Sequence, residues 1–135
     1  MVEISIVYQG DLRCEAIHTP SGTVIVTDAP RDNHGKAESF SPTDLMATAL
    51  GTCIMTVMGI AARKRNLDIS GSTVVVNKTM ITKPERRIGE LAVVITVPHA
   101  LDDATKEVLK TAALSCPVHH SMHPDIAMPL TFNWG

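Results

Sequence analysis

Ser41-Pro42-Thr43-Asp44-Leu45-Met46-Ala47-Thr48-Ala49-Leu50-Gly51-Thr52-Cys53-Ile54 opens the longest regular segment of this 135-residue sequence, and its first four residues state where that segment begins. A serine at the N-cap accepts a hydrogen bond from an early helical N–H. Proline at the first helical position gives up an N–H that would have no partner, and the Asp44 carboxylate answers both the cap and the positive end of the helix dipole. Beyond this start Leu45, Met46, Ala49, Leu50, Cys53, Ile54, Val57, Met58, Ala61 and Ala62 recur at helical spacing. Arg63-Lys64-Arg65 then favour the negative end of the dipole, and Asn66 can cap it. The spacing predicts a helix about 36 Å long at a rise of 1.5 Å per residue.

Apolar and small residues spread over more than one face of this helix, with Gly51 and Gly59 inside it. Such a helix is expected to be buried nearly all round. A glycine inside a helix costs roughly 1 kcal/mol relative to alanine, so two of them point to close approach by a neighbouring backbone. Burial on every side is more than one small chain supplies, which predicts a homodimer.

Before the helix, Glu3 to Tyr8, Arg13 to His18 and Thr23 to Thr27 read as three short antiparallel strands, with Gly10-Asp11 and Pro20-Ser21-Gly22 as turns. Asp28 to Phe40 is a polar surface loop. After the helix, Ser72 to Thr82 and Ile88 to Val97 form a second hairpin around Lys83-Pro84-Glu85-Arg86-Arg87, ended by Pro98. Asp102 or Asp103 opens a second helix in which Leu101, Ala104, Val108, Leu109, Ala112 and Cys116 share a face. Pro117 disfavours helix at the residue before it and so puts Cys116 at the helix's C-terminal end. A His-rich loop and a last strand from Ile126 to Trp134 complete the order β-β-β-α-β-β-α-β, an α+β fold in a single domain spanning residues 1–135.

Hydrophobic residues make up 44% of the chain and the formal charge is −2, so there is no basic excess to neutralise phosphates and nucleic-acid binding is not expected. Aromatic residues reach only 3% while methionines number seven, giving an aliphatic, partly thioether core without stacking platforms. The start lacks the pattern of a signal peptide, and no stretch reads as the roughly 18 apolar residues of a membrane span, so a cytoplasmic protein without a membrane partner is expected. Three cysteines, odd in number and far apart, argue against a secreted disulfide framework. No phosphate-cradling glycine pattern and no Gly-x-Ser-x-Gly elbow occur.

Spacing alone leaves Cys53 either a small hydrophobe of the core or a reactive thiol. In mid-helix it gains nothing from the dipole, so as a nucleophile it needs an imported cation, for which Arg13 in the second strand is the choice. Cys116 at a helix C-terminus is the less activated thiol and suits a resolving role. Cys14, in a strand with no cap or helix end, reads as structural. His119, His120 and His123 crowd near Cys116 and are either a solvated loop or ligands awaiting a partner.

Ser41-Pro42-Thr43-Asp44-Leu45, Leu50-Gly51-Thr52-Cys53 and Ser115-Cys116-Pro117-Val118 together resemble the two cysteine motifs of the OsmC/Ohr family, over nearly the whole chain. The resemblance implies an intertwined homodimer with long central helices, its active sites formed where the subunits meet. It also implies thiol-dependent reduction of organic hydroperoxides and possible action on hydrogen peroxide: Cys53 would become a sulfenic acid, and Cys116 would condense with it to a disulfide that a dithiol, such as a lipoyl group, recycles. No cofactor or metal is implied. In such proteins an arginine of the N-terminal sheet, matched here by Arg13, activates the thiolate, and a glutamate directly after the helix-opening proline orients it. This sequence has Thr43 there and a shorter carboxylate, Asp44, one position on, which is about 100° around the helix. That departure, with the histidines, motivates an alternative: a non-catalytic relative binding an apolar ligand or metal at the dimer interface. A purely structural interaction domain would leave the paired cysteines unexplained.

Overall fold

A computed structural model describes residues 1–135, which form two compact units, Met1–Met46 and Ala47–Gly135. The first is a three-stranded antiparallel meander in the order β1-β2-β3, with β1 at Ile4–Gly10, β2 at Arg13–His18 and β3 at Thr23–Asp28. Gly10, Asp11 and Leu12 at the first turn and Gly22 at the second all have positive φ, a conformation that glycine takes without a Cβ penalty. Register places Ile6, Ala16 and Ile25 on one face and Val7, Glu15 and Val26 on the other. Large apolar side chains stay exposed on both faces, among them Ile6, Val7, Tyr8, Ile25 and Val26.

The segment after β3 is more than a surface loop. A single 3₁₀ turn covers Arg31–Asn33, and Phe40 returns to form a parallel bridge with Thr27.

Helix α1 runs Pro42–Lys64, as the cap and spacing predict. The cap is a reciprocal box: the Asp44 N–H donates to Ser41 Oγ at 3.1 Å, and the Ser41 N–H donates to Asp44 Oδ2 at 2.9 Å. At the far end Asn66 takes φ of 58° and the Leu67 N–H reaches the Ala62 carbonyl at 2.9 Å, closing a Schellman motif.

Within a single chain α1 is buried on one side. Leu50, Ile54, Met58 and Ala62 are buried, but Met46, Thr48, Thr52, Thr56 and Ile60 are exposed. The threonines explain part of this: Thr52 and Thr56 each donate a hydroxyl hydrogen bond to the carbonyl four residues back, at 2.8 Å, and so need no partner outside the helix. Gly51 does mark a close approach, since a Cβ there would lie 2.9 Å from Val76 Cγ2, whereas one on Gly59 would meet nothing within 4 Å. By length and composition α1 is also apolar enough to cross a membrane, with mean hydropathy 1.8, contrary to the expectation that no stretch reaches that measure. The core helix of a soluble domain satisfies the same measure, and Leu50, Ile54 and Met58 are fully buried in the chain's own core.

The second unit carries the core. Strands β4 (Thr73–Ile81) and β5 (Arg87–Val97) form the expected hairpin, and β6 (Leu130–Trp134) pairs with β5 in parallel. The last strand starts later than Ile126 because Pro129 has no N–H for the ladder; Ala127 makes only an isolated bridge to Glu90. Alternate residues Leu91, Val93, Ile95 and Val97 of β5 point inward and join Leu50, Ile54 and Met58 with Leu109 and Ala113 of α2 (Asp103–Leu114) in one cluster. Asp102 caps α2 by accepting from the Thr105 N–H at 2.7 Å. Part of the expected His-rich loop is a short helix, α3, at Pro117–Ser121: the proline that stops α2 also sits favourably at the first position of a new helix.

Candidate functional site

Cys116 is therefore not the last residue of α2. That helix ends at Leu114, Ser115 caps it, and Cys116 is the N-cap of α3, its sulfur accepting from the His119 N–H at 3.4 Å. The residue is fully buried, while Cys53, projecting from the middle of α1, is partly exposed. The fold brings the two thiols close enough to interact. The Cys116 thiol is pushed above its ordinary pKa, first by burial and next by the neighbouring Cys53; the N–H of His119 acts in the opposite direction.

Burial and the neighbouring Cys53, rather than a helix C-terminus, are what raise the Cys116 pKa. Cys53, like Val57, Val118 and Met122, packs against the aliphatic core that contains Cys116.

Arg13 and Asp44 belong to the other unit. Arg13, at the start of β2, pairs with the Glu38 carboxylate and lies 3.7 Å from Asp28 Oδ2. These partners raise its pKa further, Glu38 most, so it stays charged. Asp28 is almost fully buried and also accepts from the Glu38 N–H at 3.0 Å. Asp44 spends Oδ2 on the α1 cap.

Sequence reading missed Glu38 and Asp28. Asp28 was within reach, because a hairpin closed at His18 and Thr23 puts Asp28 directly opposite Arg13. Glu38 was not, since only the return of the chain through Phe40 to β3 brings it there. The rings of His119 and His120 meet edge to face at 5.9 Å, and His123 Nδ1 accepts from the Asp125 N–H. No group of three His, Cys, Asp or Glu side chains is placed to hold a metal ion. Cys14 lies in β2 opposite Tyr8 and Thr27.

Fold and site together define a class: small α+β proteins with a thiol pair formed by a long, capped helix and a Cys-Pro helix start. The family model for OsmC-like proteins matches residues 34–130. A crystal structure from Psychrobacter arcticus 273-4, named for the osmotic stress and detoxification response, is 47% identical, with 98% of this chain and 96% of that chain covered at a TM-score of 0.93. The organic hydroperoxide resistance protein OsmC of Legionella pneumophila shares the fold at 13% identity, with coverage of 98% and 96% and a TM-score of 0.78. OhrB of Bacillus subtilis, also an organic hydroperoxide resistance protein, does so at 12% identity, with 98% of each chain covered and a TM-score of 0.73. No curated protein matches the sequence. The chain belongs to the OsmC-like family.

Proposed function

We propose that this protein is a thiol-dependent peroxidase that reduces organic hydroperoxides, acting as a homodimer in the reducing cytoplasm. The observation that supports the reading most is that a buried Cys116 lies close enough to a more accessible Cys53 to interact with it. Family membership is consistent with it, as are the organic hydroperoxide resistance proteins that share the fold.

In this reading Cys53 thiolate attacks one peroxide oxygen, the O–O bond breaks, and the alkoxide leaves to take up a proton as alcohol. Cys53 is left as a sulfenic acid. Cys116 then bonds to the Cys53 sulfur, and its proton departs with the hydroxyl as water. A dithiol of lipoyl type reduces the disulfide. Arg13 stabilises the Cys53 thiolate in place of the dipole that mid-helix cannot supply, and Asp44 fixes the start of α1. The aliphatic surroundings favour an alkyl hydroperoxide over hydrogen peroxide. The homodimer is supported by the apolar residues left exposed on both faces of the N-terminal sheet and by the exposed row of α1.

The test is to treat reduced protein with substoichiometric cumene hydroperoxide and map disulfides by mass spectrometry, with Cys14 as internal control. A Cys53–Cys116 bond formed at the rate of alcohol release is expected; oxidation that spares this pair would sink the reading.

A further inference from the structure

The surroundings of Arg13 hold a positioning device that its sequence neighbours do not reveal. Two long charged side chains meeting on a surface contribute little when both are free to move. Glu38 is different because its backbone is pinned on both sides against β3. The Glu38 N–H donates to the buried Asp28 carboxylate at 3.0 Å, the next residue's Ser39 Oγ donates to the Val26 carbonyl at 2.7 Å, and the Asp28 N–H donates to the Phe40 carbonyl at 3.0 Å. The carboxylate is thus presented to Arg13 from a fixed base, and Asp28 pairs with Arg13 and holds the segment that carries Glu38.

We propose that Glu38 is the positioning residue for Arg13, taking the part that the helix start, with Thr43 at its second position and Asp44 committed to the cap, leaves open. It rests on the reading above that Arg13 activates Cys53. Asp28 sets the guanidinium's base from within the sheet, and Glu38 fixes its direction from outside, so that the cation is held in one orientation before peroxide arrives.

The experiment compares full-length wild type, Glu38→Gln, Glu38→Asp, Arg13→Ala and the double variant Arg13→Ala/Glu38→Gln. The readout is the second-order rate of Cys53 oxidation by cumene hydroperoxide, with thermal melts as the folding control. Glu38→Gln is expected to slow oxidation about tenfold without lowering the melt, as misorientation of a reacting group does. Glu38→Asp should recover part of that loss and Arg13→Ala should be slower still. In the Arg13→Ala background, Glu38→Gln should add nothing, because the two act as one unit. A Glu38→Gln protein as fast as wild type, or faster, while Arg13→Ala is slow overturns the proposal and leaves Arg13 activation standing. An Arg13→Ala protein as fast as wild type overturns both.

Discussion

Cys116 lies close enough to Cys53 to interact with it while accepting the His119 N–H on its sulfur, so one buried residue joins the middle of α1 to the first turn of α3. The two cysteines lie 63 positions apart in sequence, from 53 to 116, and come together only because both helices belong to the aliphatic core. In the proposed cycle the more accessible sulfur would attack and the buried one would resolve.

That division predicts different failures for the two serine variants. Cys53→Ser should lose cumene hydroperoxide turnover by about a thousandfold or more, as removal of a nucleophile does. Cys116→Ser should still release one equivalent of alcohol but stop there, with Cys53 trapped as a sulfenic acid that dimedone labels. Equal loss of the first equivalent in both variants would assign the attack wrongly.

The raised pKa of Cys116 also predicts a pH dependence of stability. Its folded pKa lies above the unfolded value of about 8.5, so between the two the folded state holds the extra proton. Stability from this group is complete below the unfolded pKa and is lost as pH rises through the folded one. Urea midpoints of the reduced protein should therefore fall above about pH 8.5, and Cys116→Ala should flatten that part of the profile relative to wild type. A variant profile parallel to wild type would contradict it.

Ser41 offers a test confined to the helix start. Its hydroxyl accepts the Asp44 N–H and is almost fully buried. Ser41→Ala should destabilise the protein by about 1 kcal/mol, within the usual range for losing an N-cap. A midpoint unchanged in urea would mean that the box contributes nothing to the fold.

Much of this architecture is legible in the sequence because the decisive signals are local. Ser41-Pro42-Thr43-Asp44 and Asn66 bracket α1 correctly, and β-branched runs give both hairpins. The motifs single out Cys53 and Cys116, and the fold places the two thiols close enough to interact. The site is not legible where tertiary return paths decide: Glu38 reaches Arg13 only after the chain bridges back to Thr27, and Pro117 reads as a stop although it is also a start. Within one chain the apolar spread around α1 is covered on one side only, and hydroxyls that bond back to their own helix let Thr52 and Thr56 face outward there.

The two glycines of α1 separate packing within the chain from packing between copies. In Gly51→Ala the added methyl would meet Val76 Cγ2 at 2.9 Å and Val74 Cγ1 at 3.3 Å. Overpacking of this kind costs about 1–3 kcal/mol, against a helix-propensity gain of at most about 1 kcal/mol, so the variant should be net destabilised. Gly59 meets nothing within 4 Å inside the chain, so Gly59→Ala should raise intrinsic stability by up to about 1 kcal/mol. If the exposed row of α1 is covered by a second copy, that same methyl stands at the contact. Urea unfolding measured across a range of protein concentrations, with sedimentation to follow the dimer, distinguishes the cases. Weaker association in Gly59→Ala, together with a Gly51→Ala loss that does not depend on concentration, is the expected pattern. Unchanged association in Gly59→Ala would move the dimer contact off this face of the helix.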